Sequence, residues 1–287
     1  MLTRSAPRTR HFDGLSLHGF HRVAYHEWGD PANGNVVIAV HGLSRNGRDF
    51  DVLGEALADT HRLLAVDMPG RGASQWLADP NDYAFPTYLA TLTALIARSG
   101  AETVGWVGTS MGALLGMVMA AQPNSPVARL VVNDAGPQIE PAALARIRDY
   151  LGGDPAFPTF ADADRYIRAV SAPFGPLTDA QWDHLTRTSV AQRPDGTWHL
   201  TYDPAIAVPF RTTAAPPDLW PVWDAIRCPT LVLRGAQSDL LASGTAAQMA
   251  ARGPRPRVVE FPGIGHAPTL LTPDQVAPVA AFLRGAG

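Results

Sequence analysis

A chain of 287 residues, 46% hydrophobic and 17% charged, has an ordinary globular composition, long for one core but within reach of an α/β domain carrying an insertion. The formal net charge of −3 gives no sign of a nucleic-acid partner or an anionic membrane surface. One cysteine, Cys228, excludes an internal disulfide and a cysteine-based zinc site, and 23 basic residues that are all arginine exclude a P-loop lysine, a Schiff-base lysine and a Ser-Lys dyad.

The first residues are basic but lack the apolar core of a signal peptide, and no apolar run approaches the ~20 residues that span a bilayer. A soluble, cytoplasmic protein is expected. After a frayed start, 15–17 and 22–28 read as two strands joined at Gly19. Val36–Val40 (VVIAV) is a continuous apolar run, as a strand buried on both faces requires. A helix over 49–58, a strand over Arg62–Val66 and a helix over 86–99 closed by Gly100 follow. Next come a strand over 103–107, an apolar helix to about 122, and a strand over Val127–Asn133. From 137 to 221 the rhythm breaks into helical patches with much of the tryptophan and proline. It returns with strand Thr230–Gly235, helix Ser243–Ala251, strand Arg257–Phe261 and a last helix opened by Thr272-Pro273-Asp274-Gln275, which reads as a capping box. Strands alternating with helices imply a mostly parallel sheet of eight strands with helices on both faces. On this reading 1–136 and 222–287 form the core, and 137–221 is a helical lid over the edge of the sheet where open α/β folds bind ligands.

The chemistry centres on Gly108-Thr109-Ser110-Met111-Gly112, which fits G-x-S-x-G between a strand and a helix. So tight a turn holds its serine in a strained conformation and leaves no room for side chains two residues to either side, hence the glycines. It also sets Ser110 at a helix N-terminus, with the Met111 N–H aimed at any oxyanion formed there. A serine alone is a poor nucleophile and needs a base and an orienting acid. His266 follows the final strand and Asp239 follows Thr230–Gly235, so the order is Ser, Asp, His, each at a strand's C-terminal end. Asp134 is the competing acid; Asp239 is preferred because Asp134 would leave Asp239 without a reason. The second oxyanion donor is expected from Leu43, in the loop after VVIAV.

With these residues in register, and with His41-Gly42 and Asp67-x-Pro69-Gly70-x-Gly72-x-Ser74 beside them, the chain resembles the α/β-hydrolase superfamily over 15–137 and 221–283. The resemblance implies an α/β-hydrolase fold and a cofactor-independent, metal-free serine hydrolase. Ser110 would attack the carbonyl of a carboxylic ester of a small or medium apolar substrate, with Leu43 and Met111 as oxyanion hole. Carbon–carbon bond hydrolases of ring-cleavage dienoates resemble the chain down to the Ser-Met-Gly elbow, and lactonases, acyltransferases, haloperoxidases and slow-turnover hormone receptors share the scaffold. His41 is read as tying the oxyanion loop, Asp67 and Arg71 as bracing the site's edge, and Arg45 as a group that could hold a carboxylate. Trp76, Met111, Phe174, Trp198 and Phe210 either line an acyl pocket or pack the core, and His41 and Arg45 join the pocket candidates. The expected partner is a small-molecule ester or related acyl substrate, with no nucleic acid and no membrane; monomer and homodimer both stay open.

Overall fold

The computed structural model describes residues 6–212 and 218–285, except the side chains of Phe210 and Thr212. Strands β1 (Arg8–Ser16) and β2 (Gly19–Trp28) form an antiparallel hairpin, followed by β3 (Val36–Val40), helix α1 (Asp51–Leu57), β4 (Arg62–Val66) and α2 (Phe85–Ser99). Then come β5 (Val104–Thr109), α3 (Met111–Ala120) and β6 (Val127–Asn133). Before the sheet resumes, the chain runs through α4 (Pro141–Tyr150), α5 (Phe160–Val170), α6 (Asp179–Ser189), a hairpin of β7 (Val190–Gln192) and β8 (Trp198–Leu200), α7 (Ala207–Thr212) and α8 (Trp220–Ala225). It closes with β9 (Thr230–Gly235), α9 (Ser243–Ala251), β10 (Arg257–Phe261) and α10 (Pro273–Leu283).

The eight-stranded sheet has the order β1-β2-β4-β3-β5-β6-β9-β10, parallel from β4 to β10 and antiparallel in the β1-β2-β4 corner. Period-two alternation sorts the central strand between two cores. Val36, Ile38 and Val40 pack with Leu92 of α2 and Leu115 of α3, whereas Val37 and Ala39 pack with Leu53 of α1 and Val279 of α10. All five residues of β3 are buried, which is why the strand reads as an unbroken apolar run. The order reverses at β3, with β4 on one side and β5 on the other, so a crevice opens beyond the C-terminal ends of β3 and β5.

The departures from the sequence expectation include two boundaries and a helix cap. The first strand begins at Arg8 rather than near 15, because Arg8 and Arg10 reach across to Glu27 on β2 and their charge hides the strand pattern. Helix α8 straddles the expected end of the insertion at 221, with Trp223 fully buried. The start of α10 lacks a capping box: Thr272 makes no side-chain cap bond, and Gln275 Oε1 instead accepts from the Leu270 N–H at 2.8 Å. Among the described residues no helix is long and apolar enough to cross a membrane.

Candidate active site at the sheet edge

Ser110 follows β5 at the N-cap position of α3 with φ +53° and ψ −113°, a conformation that a residue with a Cβ rarely adopts. The neighbouring glycines are required by contact: a Cβ on Gly112 would lie 2.0 Å from the Val40 carbonyl oxygen, and one on Gly108 would lie 2.1 Å from that of Gly112. The turn is pinned by Ser110 N–H donating to the Asn133 carbonyl at 2.9 Å and by Trp106 Nε1 donating to the Gly112 carbonyl at 3.1 Å.

His266, in the loop after β10, sets Nε2 2.9 Å from Ser110 Oγ and Nδ1 2.8 Å from Asp134 Oδ2. An ionised carboxylate can only accept, so Nδ1 carries the proton and Nε2 is free to accept from the hydroxyl. The acid on the imidazole is therefore Asp134 rather than the expected Asp239. Asp134 follows β6, the strand between β5 and β9, and is fully buried with φ +54°. It also accepts from the Gly235 N–H at 3.0 Å and the Ser238 hydroxyl at 2.7 Å. Asp239 is turned instead toward α4, where Arg146 Nε and Nη2 grip its two oxygens at 2.6 and 3.0 Å. That guanidinium holds the Asp239 carboxyl below the usual range, against the opposing effect of burial. Asp239 thus has a partner of its own, supplied by the insertion.

The loop after β3 runs directly beside the serine, with a Cβ on Gly42 falling 3.6 Å from Ser110 Cβ. His41 organises this loop as anticipated. Its Nε2 accepts from the Met68 N–H at 2.9 Å, so its Nδ1–H donates to the Gly42 carbonyl at 2.6 Å. That carbonyl belongs to the peptide whose N–H is that of Leu43, and in a planar trans peptide the two point in opposite directions. Full burial lowers the His41 pKa to about 4, keeping the ring neutral. Below it lies Arg71, 0% exposed, whose Nε donates to the Leu43 carbonyl at 2.9 Å and whose Nη1 donates to the Pro69 carbonyl and the Tyr88 hydroxyl at 2.7 and 2.8 Å. Asp67 accepts from the Gly47 and Ala73 N–H groups, tying the same loops together.

Ser110 and His266 open into a cavity of about 120 Å³ between the sheet edge and the insertion. Of the sequence candidates, Arg45 and Phe174 line it. His41 is buried behind it, Trp76 is 45% exposed elsewhere, Met111 is buried with its sulfur 4.0 Å from Arg71 Nη2, and Trp198 packs edge-on against Phe160. The side chain of Phe210 lies outside the described residues. The walls come mainly from side chains that the sequence did not single out: Ile147 and Tyr150 of α4, Tyr166 and Ile167 of α5, Leu185 of α6, and Tyr202. The available signal was helical spacing within 137–221, with Arg146 and Tyr150 at i and i+4 on one face.

Residues 37–279 match the model of the alpha/beta hydrolase family. The chain belongs to this family. This alpha/beta hydrolase is 46% identical over 291 residues to a 3-hydroxybutyrate-oligomer hydrolase from Cupriavidus necator, covering 98% of this chain and 99% of that protein. It is 28% identical over 250 residues to a 2-(acetamidomethylene)succinate hydrolase from Mesorhizobium japonicum, covering 85% and 86%. The crystal structure of an alpha/beta hydrolase from Novosphingobium aromaticivorans superposes with a TM-score of 0.88 at 38% identity, covering 98% of this chain and 99% of that one.

Proposed function

We propose that this alpha/beta hydrolase is a serine esterase that cleaves short oligomeric esters of 3-hydroxy acids through an acyl-enzyme on Ser110. The observation that carries the mechanism is the unbroken hydrogen-bond chain from Ser110 Oγ through His266 to buried Asp134, at 2.9 and 2.8 Å. Support for the substrate class comes from the Cupriavidus necator relative, aligned over nearly the full length of both chains.

Ser110 Oγ attacks the ester carbonyl carbon as its proton passes to His266 Nε2, and Asp134 stabilises the imidazolium. The developing oxyanion sits between the N–H groups of Leu43 and Met111. Neither donates to another group among the described residues, and each such donor is worth ~3 kcal/mol in the transition state. The carbon–oxygen bond to the alcohol breaks and the imidazolium returns its proton to the leaving oxygen. A water then attacks the acyl-enzyme with His266 as base, releasing the acid and regenerating Ser110. The insertion acts as a lid that excludes bulk water and supplies the apolar wall for the acyl chain.

The test is hydrolysis of the linear dimer and trimer of 3-hydroxybutyrate, beside p-nitrophenyl esters from acetate to dodecanoate, by wild type and Ser110→Ala. Ser110-dependent release of 3-hydroxybutyrate is expected. Turnover of the p-nitrophenyl esters with none of the oligomers would refute the substrate class while leaving the esterase mechanism in place.

A further inference from the structure

Among the described residues, three charged side chains line the cavity: Arg45, Asp49 and Arg146. Arg45 and Asp49 cancel. Arg45 grips Asp49 through Nε at 3.0 Å and Nη2 at 2.5 Å, and its Nη1 is spent on Ser189 Oγ at 2.7 Å. Arg146 differs, because its counter-ion Asp239 stands outside the cavity wall. Asp239 engages Nε and Nη2, one edge of the guanidinium, leaving the Nη1 amino group outside the ion pair. Among the described residues, Arg146 is therefore the one guanidinium of the lining whose paired carboxylate is not itself part of the lining. On the same face of α4, Tyr150 brings a phenol to the wall beside it.

We propose that Arg146 is a carboxylate-binding subsite, holding the free carboxylate of the substrate while the scissile ester lies at Ser110. This deepens the ester-oligomer reading above and rests on it, since a linear oligomer of a hydroxy acid ends in one carboxylate. A guanidinium suits that role because it offers paired N–H donors in a fixed fork and stays charged at every working pH. The ion pair with Asp239 fixes the side chain in place beforehand, so less rotamer freedom is lost on binding. Recognition of the terminal carboxylate also sets the register of cleavage, counting ester bonds from the acid end.

The experiment separates binding from turnover. Calorimetry on the Ser110→Ala variant measures affinity for the 3-hydroxybutyrate dimer and for its methyl ester, in which a methyl group caps the carboxylate and removes its charge. The free acid is expected to bind at least ten-fold tighter, and Arg146→Gln placed in the same background is expected to bring the two affinities within two-fold. Arg146→Lys should restore part of the preference, an outcome that a merely structural role for the residue does not produce. Equal affinity for acid and ester in Ser110→Ala, or a preference that survives Arg146→Gln, overturns the subsite and leaves the oligomer reading untouched. No binding of either dimer overturns both, and p-nitrophenyl ester turnover by the wild type then shows separately whether the esterase mechanism stands.

Discussion

His266 and Asp134 meet at 2.8 Å although they lie 132 residues apart, one after the last strand and the other after β6. This contact fixes which imidazole nitrogen faces the serine. Asp134→Asn would offer an amide where the ring donates, and kcat is expected to fall ~10⁴-fold. Asp239→Asn should stay within a few-fold of wild type on p-nitrophenyl acetate, a substrate without a carboxylate. Steady-state kinetics of the two variants decides the matter, and the reverse pattern would return the role to Asp239.

The buried ring of His41 makes stability depend on pH. Unfolded, it titrates near 6.5; folded, at about 4, because burial disfavours the charged form. Above pH 6.5 the ring is neutral in both states and its contribution is complete. As the pH falls from 6.5 toward 4, the unfolded chain takes up a proton that the folded chain refuses, and about 3 kcal/mol of stability is lost. His21, lowered by burial as well, adds in the same direction. Urea midpoints measured from pH 7.5 to 4.5 should fall, and His41→Asn should flatten the slope. A slope unchanged by His41→Asn would assign the effect to other groups.

Arg71 is a guanidinium sealed from water and held by carbonyls and a phenol, with Tyr88 stacked 5.1 Å away. Arg71→Met strands these acceptors, each worth about 1 kcal/mol or more when buried and unpaired. A destabilisation of about 3 kcal/mol is expected, together with a fall in kcat at least ten-fold larger than any rise in KM, because the Leu43 peptide loses its support. Arg71→Lys should recover little, since an ammonium cannot reproduce the fork. Thermal unfolding and kinetics on the same preparations test both halves.

Glycine to alanine inside a helix ordinarily gains up to ~1 kcal/mol. At Gly244 in α9, where an added methyl meets none of the described residues within 4 Å, a neutral or slightly stabilising effect is expected. At Gly112 the same change should reverse sign and abolish activity, because the methyl would strike the backbone of β3 and push α3 off the sheet. Equal effects at the two sites, read by thermal melting, would contradict the close approach.

The strands of the central sheet were legible because burial on both faces leaves an unmistakable apolar run, as in Val36–Val40. The meeting of Ser110 with His266 was legible because their positions follow from local grammar: a Gly-flanked turn after one strand and a histidine after another. The acid was not, since choosing between Asp134 and Asp239 depends on a long-range contact with Arg146 that no local pattern encodes. The pocket was hidden for a similar reason. Aromatic residues such as Trp76 and Trp198 stand out in a sequence, but the cavity is lined by Tyr150, Tyr166 and Tyr202, whose orientation depends on how the insertion docks.

That docking is uneven along the insertion. The hairpin end is joined to the loop after β4 by main-chain hydrogen bonds, Gly72 N–H to the Thr201 carbonyl at 2.7 Å and Asp203 N–H to the Gly70 carbonyl at 2.8 Å, with Tyr83 clasping Asp203. At the other end α4 buries Ala143 and Ile147 and reaches the loop after β9 through the half-exposed Arg146–Asp239 pair. Amide hydrogens of α4 should therefore exchange with solvent deuterium well before those around Thr201, through a local opening rather than global unfolding. Salt weakens exposed ion pairs, so that opening should quicken as ionic strength rises, while the hairpin keeps the rhythm of the sheet.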